Sequence, residues 1–80
     1  MINKNKLKWK CRRGVLELDT VLSEFYQHHI DELSQVELQE FEALLTIEDP
    51  FLLDWLIYGK KVPLEHSNII NKILNRVVDL

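Results

Sequence analysis

Arg13, Gly14 and Glu17 are the residues of this 80-residue chain best equipped to recognise another molecule. A guanidinium is a planar fork of N–H donors that suits carboxylates, phosphates and carbonyls. The neighbouring glycine has no Cβ, so another backbone can approach closely. Glu17 falls in the first turn of the following helix, where the dipole favours a carboxylate. Two uses of these groups stay open from the residues alone. Gly14 could end a helix in a positive-φ conformation while Arg13 pairs with Glu17 at the surface, a pair worth under about 1 kcal/mol. Alternatively, the glycine joint presents both side chains outward to a partner.

Other reactive side chains lead nowhere catalytic. Cys11 is the only cysteine, which removes disulfide frameworks and paired-thiol metal clamps and fits a reducing compartment. Arg12 and Arg13 could lower its pKa, yet a nucleophilic thiol also needs a base, and none lies nearby in sequence. Cys11 therefore reads as a buried structural residue. His28 and His29 are adjacent, so on a helix they diverge by about 100° and cannot share a metal. With His66 they make no expected metal site. There is no nucleophile elbow, P-loop or dinucleotide fingerprint, so no catalytic residue is expected, and without a phosphate-cradling loop a free nucleotide should bind weakly or not at all.

The elements that must position these groups all read at helical period. No segment alternates like a strand, and no Asn-Gly or Asp-Gly hairpin signal occurs. A short helix spans about Lys4 to Arg12, with Leu7 and Cys11 on one face and Trp9 off it. A second runs from Leu16 to His29, with Val15, Leu18, Leu22, Phe25 and His29 in one stripe. A third starts at Ser34, whose Ser34-Gln35-Val36-Glu37 is a capping box, and its core face is Leu38, Phe41, Leu44 and Leu45. A fourth starts with Asp49 as N-cap and Pro50 at the first helical position and stops near Gly59. It is apolar almost all round, so core filling is its default, with part of the Trp55 and Tyr58 surface open to a partner. A fifth follows Pro63, with Ile69, Ile70, Ile73, Leu74, Val77 and Val78 in two rows. The predicted fold is all-α, a compact five-helix bundle forming one small domain over residues 1–80.

Charge divides the chain. Lys4, Lys6, Lys8, Lys10, Arg12 and Arg13 are six of the ten basic residues, and the first thirteen positions contain no acid. The remaining four bases face thirteen acids from Gly14 onward. Residues 1–13 thus form a basic N-terminal segment and residues 14–80 an acidic body, and the acidic body argues against nucleic-acid binding. No apolar run approaches the roughly 20 residues needed to cross a bilayer, and the polar N-terminus does not read as a secretory signal. A cytoplasmic, monomeric protein without stable membrane insertion is expected.

Trp9 through Asp19 resembles the signature of the SdhE (YgfY) family, whose hallmark Arg-Gly-x-x-Glu stands here as Arg13-Gly14-Val15-Leu16-Glu17, followed by Leu18-Asp19. The likeness continues through Phe25, Leu33, Glu37, Phe41, Leu44-Leu45, Asp49-Pro50 and Leu53-Asp54-Trp55-Leu56. It covers roughly residues 7 to 58, and the last helix by type. The resemblance implies a five-helix FAD assembly factor that acts as a chaperone. Such a protein binds the flavoprotein subunit of succinate dehydrogenase, and in some cases of fumarate reductase. It promotes autocatalytic bonding of the FAD 8α-methyl carbon to a histidine of that subunit. FAD is handled on the client, and the small protein binds no cofactor stably. Trp9, Arg12, Arg13, Gly14, Glu17 and Asp19 become the client-binding residues, with Arg12 and the lysines steering association. A regulatory role, as antitoxin-like partner of a small membrane protein, is the alternative.

Overall fold

The computed structural model describes residues 3–77. Five helices run in order: α1 (Lys4–Lys10), α2 (Leu16–His29), α3 (Gln35–Leu44), α4 (Asp49–Leu56) and α5 (Leu64–Val77), with a 3-10 turn at Ile30–Glu32 after α2. Among the described residues there is no strand, so the all-α, five-helix expectation holds.

A seven-residue helix rich in lysine is too short to persist alone. The Asn3 side chain starts α1 by accepting the backbone N–H of Asn5 and Lys6 at 2.9 and 3.4 Å. Burial holds it, because Leu7 and Cys11 enter the core as their spacing predicts. On α2 the same logic sends Leu18, Leu22 and Phe25 inward, with Val15 packed at the edge of the core. Phe25 meets Phe41 of α3 at 5.4 Å between ring centroids. Helix α5 packs against α2, α3 and α4 through Ile69, Ile70 and Ile73. The expected core positions Val77 and Val78 lie outside the described side chains and residues.

The capping box forms as read. The Ser34 hydroxyl accepts the Glu37 N–H at 3.1 Å, and Glu37 accepts the Ser34 N–H at 2.9 Å. Glu37 does more than the motif requires, since its other carboxylate oxygen accepts from Lys72 of α5 at 2.8 Å. Beside it, Glu32 accepts from His29 at 2.7 Å and from Arg76 at 3.0 Å. These bonds hold both carboxyls below their ordinary value of 4.5, through His29 and then Arg76 for Glu32, and through Lys72 and then the Ser34 backbone for Glu37. A carboxylate whose pKa is depressed on folding adds stability above its unfolded value and loses it as pH falls through the folded one. Urea midpoints should therefore be level between pH 4.5 and 9.0 and decline progressively below 4.5. Glu32→Gln and Glu37→Gln should each flatten that decline.

Two expectations about helix ends need correction. Gly14 does not adopt positive φ; Gly59, at +67°, is the only residue described that does. Helix α1 instead closes by tightening, with Cys11 and Arg12 donating to Lys8 and Trp9 carbonyls three residues back. Gly59 supplies the left-handed turn after α4. At the start of α4, Glu48 is the cap and makes no side-chain bond, so Asp49 and Pro50 sit one position further in than predicted. The Asp49 carboxylate is engaged elsewhere, by Arg13.

Candidate functional site

The joint between α1 and α2 holds the residues the sequence singled out, and the fold treats them in two ways. Arg13 turns inward. Its side chain is 14% exposed, with Nη1 donating to Asp49 at 3.2 Å and Nη2 to the Leu45 carbonyl at 2.6 Å. Leu45 caps the C-terminal end of α3, where carbonyls lack partners and the dipole is negative. Asp49 lies in the first turn of α4, where negative charge is favoured. One guanidinium thus ties the joint to the α3–α4 turn, more than thirty residues away in sequence. This overturns both local readings of Arg13. It is neither presented outward nor paired with Glu17.

The backbone of the joint is held as well. The Arg13 N–H donates to Asp19 of α2 at 3.3 Å, which makes half-buried Asp19 a brace for the turn. Around this frame the other predicted residues face solvent. Trp9 is 72% exposed, and Arg12, Gly14 and Glu17 are also exposed. A Cβ placed on Gly14 would meet nothing within 4 Å, so no internal contact of the chain requires glycine there. Glu17 enters no ion pair with any described residue, which leaves its carboxylate available.

Sequence reasoning missed two residues of this joint, one on its surface and one in its frame. Leu16 is as exposed as Trp9, at 72%. Its position carried the signal, because it lies off the Leu18–Leu22–Phe25 stripe by about half a turn. Asp49 was assigned to a local cap, and nothing in its neighbourhood pointed to a partner 36 residues earlier.

Cys11 is buried in the core, and desolvation pushes its thiol from 9.0 up to about 12, against the opposing pull of Arg13 and with a smaller push from Asp19. The native thiol should resist alkylating reagents at mildly alkaline pH and react only on unfolding, in a single-exponential assay of thiol loss. Because its folded pKa is raised, the stability it contributes is complete below pH 9.0 and disappears as pH climbs toward about 12. The histidines have local partners: His28 with Glu24 at 3.2 Å, His29 with Glu32, and His66 stacked on Trp55 at 5.5 Å. Among the described residues no three His, Cys, Asp or Glu side chains converge to hold a metal, and no helix is long and apolar enough to cross a membrane.

A family model, Sdh5, described as "Flavinator of succinate dehydrogenase", matches residues 5–77, which takes in the whole joint and, but for Lys4, all five helices. The chain belongs to this family. Relatives named "FAD assembly factor SdhE" bear this out. The Legionella pneumophila (strain Lens) protein is 44% identical over 72 residues, spanning 90% of this chain and 91% of its own. The Coxiella burnetii protein is 41% identical over 75 residues, spanning 94% and 88%. That of Aliivibrio fischeri is 40% identical over 72 residues, spanning 89% and 84%. The family match extends past the Arg-Gly-x-x-Glu stretch into α5, so the resemblance seen over residues 7 to 58 covers nearly the whole fold.

Proposed function

We propose that this chain is an FAD assembly factor that binds the flavoprotein subunit of succinate dehydrogenase and promotes its covalent flavinylation. The observation that carries this reading is membership of the flavinator family, and Gly14 and Glu17 of the Arg-Gly-x-x-Glu stretch are exposed at the joint. Both bond-forming atoms, the FAD 8α-methyl carbon and a histidine nitrogen, reside in the client complex. What this chain supplies is shape and charge. Holding reactants in a bond-forming geometry can remove several kcal/mol from a barrier without any catalytic side chain on the helper.

The residues divide by role. Trp9, Leu16 and Gly14 offer apolar area and close approach, Glu17 accepts a client donor, and Arg12 with the flanking lysines steers the encounter. Arg13 and Asp19 are positioning residues that fix the curvature of the joint. The flavoprotein subunit of fumarate reductase is a second client of the same chemistry. The protein acts as a cytoplasmic monomer, without a stably bound cofactor and without catalysing the bond itself, which the client forms autocatalytically. Expressing the client flavoprotein with and without this chain, then reading in-gel flavin fluorescence after denaturation, tests the reading. Fluorescent client should accumulate several-fold more with the chain present. Equal fluorescence in both would refute the function.

A further inference from the structure

A groove of about 590 Å³ lies between α1 and α2 and opens to solvent, and the function so far assigned uses only Arg12 and Asp19 of its lining. Lys8 and Arg12 line it from the α1 side. Ser23 and Gln27, one turn apart on α2, face them, and half-buried Tyr26 with buried Ile30 gives an apolar lining. Its volume falls in the roughly 300–1,000 Å³ range of ligand clefts, and because it opens to solvent a chain segment can lie in it.

Charge indicates what kind of segment. Of the bases in the first thirteen residues, Lys4 is paired with Asp31 and Arg13 with Asp49. Lys8 and Arg12 form no ion pair within 4 Å of any described acid. Asp19, the groove's only acid, already accepts the Arg13 N–H at its joint end. Lys8 lies in α1 and Arg12 two residues past its end, and both line the same side of the groove. Alternate residues of an extended chain are about 6.6 Å apart and point the same way. Carboxylates at alternate positions of such a segment would therefore face one side of the groove, the side that carries Lys8 and Arg12. Ser23 and Gln27 can bond its backbone, which an extended chain leaves unsatisfied.

We infer that the groove between α1 and α2 receives an extended segment of the client carrying carboxylates at alternate positions, clamped by Lys8 and Arg12. This rests on the proposed function and continues its surface, because Arg12 belongs to both. The test measures client affinity at low salt for the wild-type chain and Lys8→Glu/Arg12→Glu, with a labelled peptide of alternating glutamates as competitor. The double variant should bind the client about tenfold more weakly and remain folded, with a thermal midpoint lowered by only a few degrees, the cost of acids at a helix C-terminus. Lys8→Gln/Arg12→Gln, which places no acid at the end of α1, should show a smaller loss in the same direction. The peptide should displace client from the wild-type chain.

Equal client affinity in wild type and double variant would overturn the groove and leave the function standing. So would a tenfold loss with no displacement by the peptide, because the two charges would then act only by long-range steering. A wild-type dimer that the double variant abolishes, with client affinity intact, would assign the groove to a second copy and overturn the inference. If the wild-type chain fails to bind client yet binds the peptide, and the double variant does not, the function falls and the groove survives.

Discussion

Gly14→Arg should abolish capture of the client flavoprotein, and with it at least about a hundredfold of the flavinylation rate, while the isolated chain melts within a few degrees of wild type. The two halves of this result come from one geometry. Gly14 is exposed, its φ is not positive, and a Cβ there meets nothing within 4 Å. A side chain is thus acceptable to the fold, and restricting the unfolded backbone offsets part of any cost. Any need for glycine must come from outside the chain, from a surface that approaches the joint closely. An arginine would hold that surface off by its full length, whereas Gly14→Ala, adding one methyl group, should keep a measurable part of the activity. Co-purification with the client and calorimetry of the free chain separate the effects. A variant that unfolds, or one that still captures client, would remove Gly14 from the interface.

Arg13→Ala should act in the opposite order, unfolding first and losing function as a consequence. It removes a guanidinium that bonds Asp49 and the Leu45 carbonyl and leaves both without their partner. Breaking a buried ion pair costs about 3–5 kcal/mol. Asp49 remains 27% exposed, and the Arg13 Nε is buried without a partner, so the pair is less than fully satisfied. A loss of about 2–4 kcal/mol follows, against a total of about 4–12 kcal/mol for a domain of this size. Thermal midpoints should drop by about 10–25 °C. Arg13→Lys should recover little, because an ammonium cannot fork between a carboxylate and a carbonyl. In a double-mutant cycle with Asp49→Ala, the losses should be strongly non-additive. Additive losses, or a stable Arg13→Ala chain that fails only in client binding, would put the guanidinium outside and restore the outward reading.

The contrast between these residues explains what the sequence could disclose. Periodicity placed Leu18, Leu22, Phe25, Phe41 and the α5 isoleucines in the core, since a 3.6-residue repeat leaves a stripe only one way to face. The capping box was legible because both of its bonds close within four residues. Arg13 was not, because its partners depend on how α3 and α4 pack against the joint, and no local pattern encodes a contact across 36 positions. The expected positive φ at Gly14 failed for a related reason, while the stop near Gly59 held. Gly14 follows a short helix that ends by tightening, while Gly59 follows one that needs the left-handed turn. Site residues whose property is exposure, such as Trp9 and Glu17, were easier to place than those whose property is a distant bond.

Oxidative footprinting of the chain, free and bound to the client flavoprotein, tests the docking surface most directly. Trp9 and Leu16, both 72% exposed in the free protein, should be shielded in the complex, while exposed Phe51 and Tyr58 of the α4 region keep their reactivity. The reverse pattern, with Phe51 and Tyr58 shielded and Trp9 and Leu16 oxidised as in the free chain, would contradict the account.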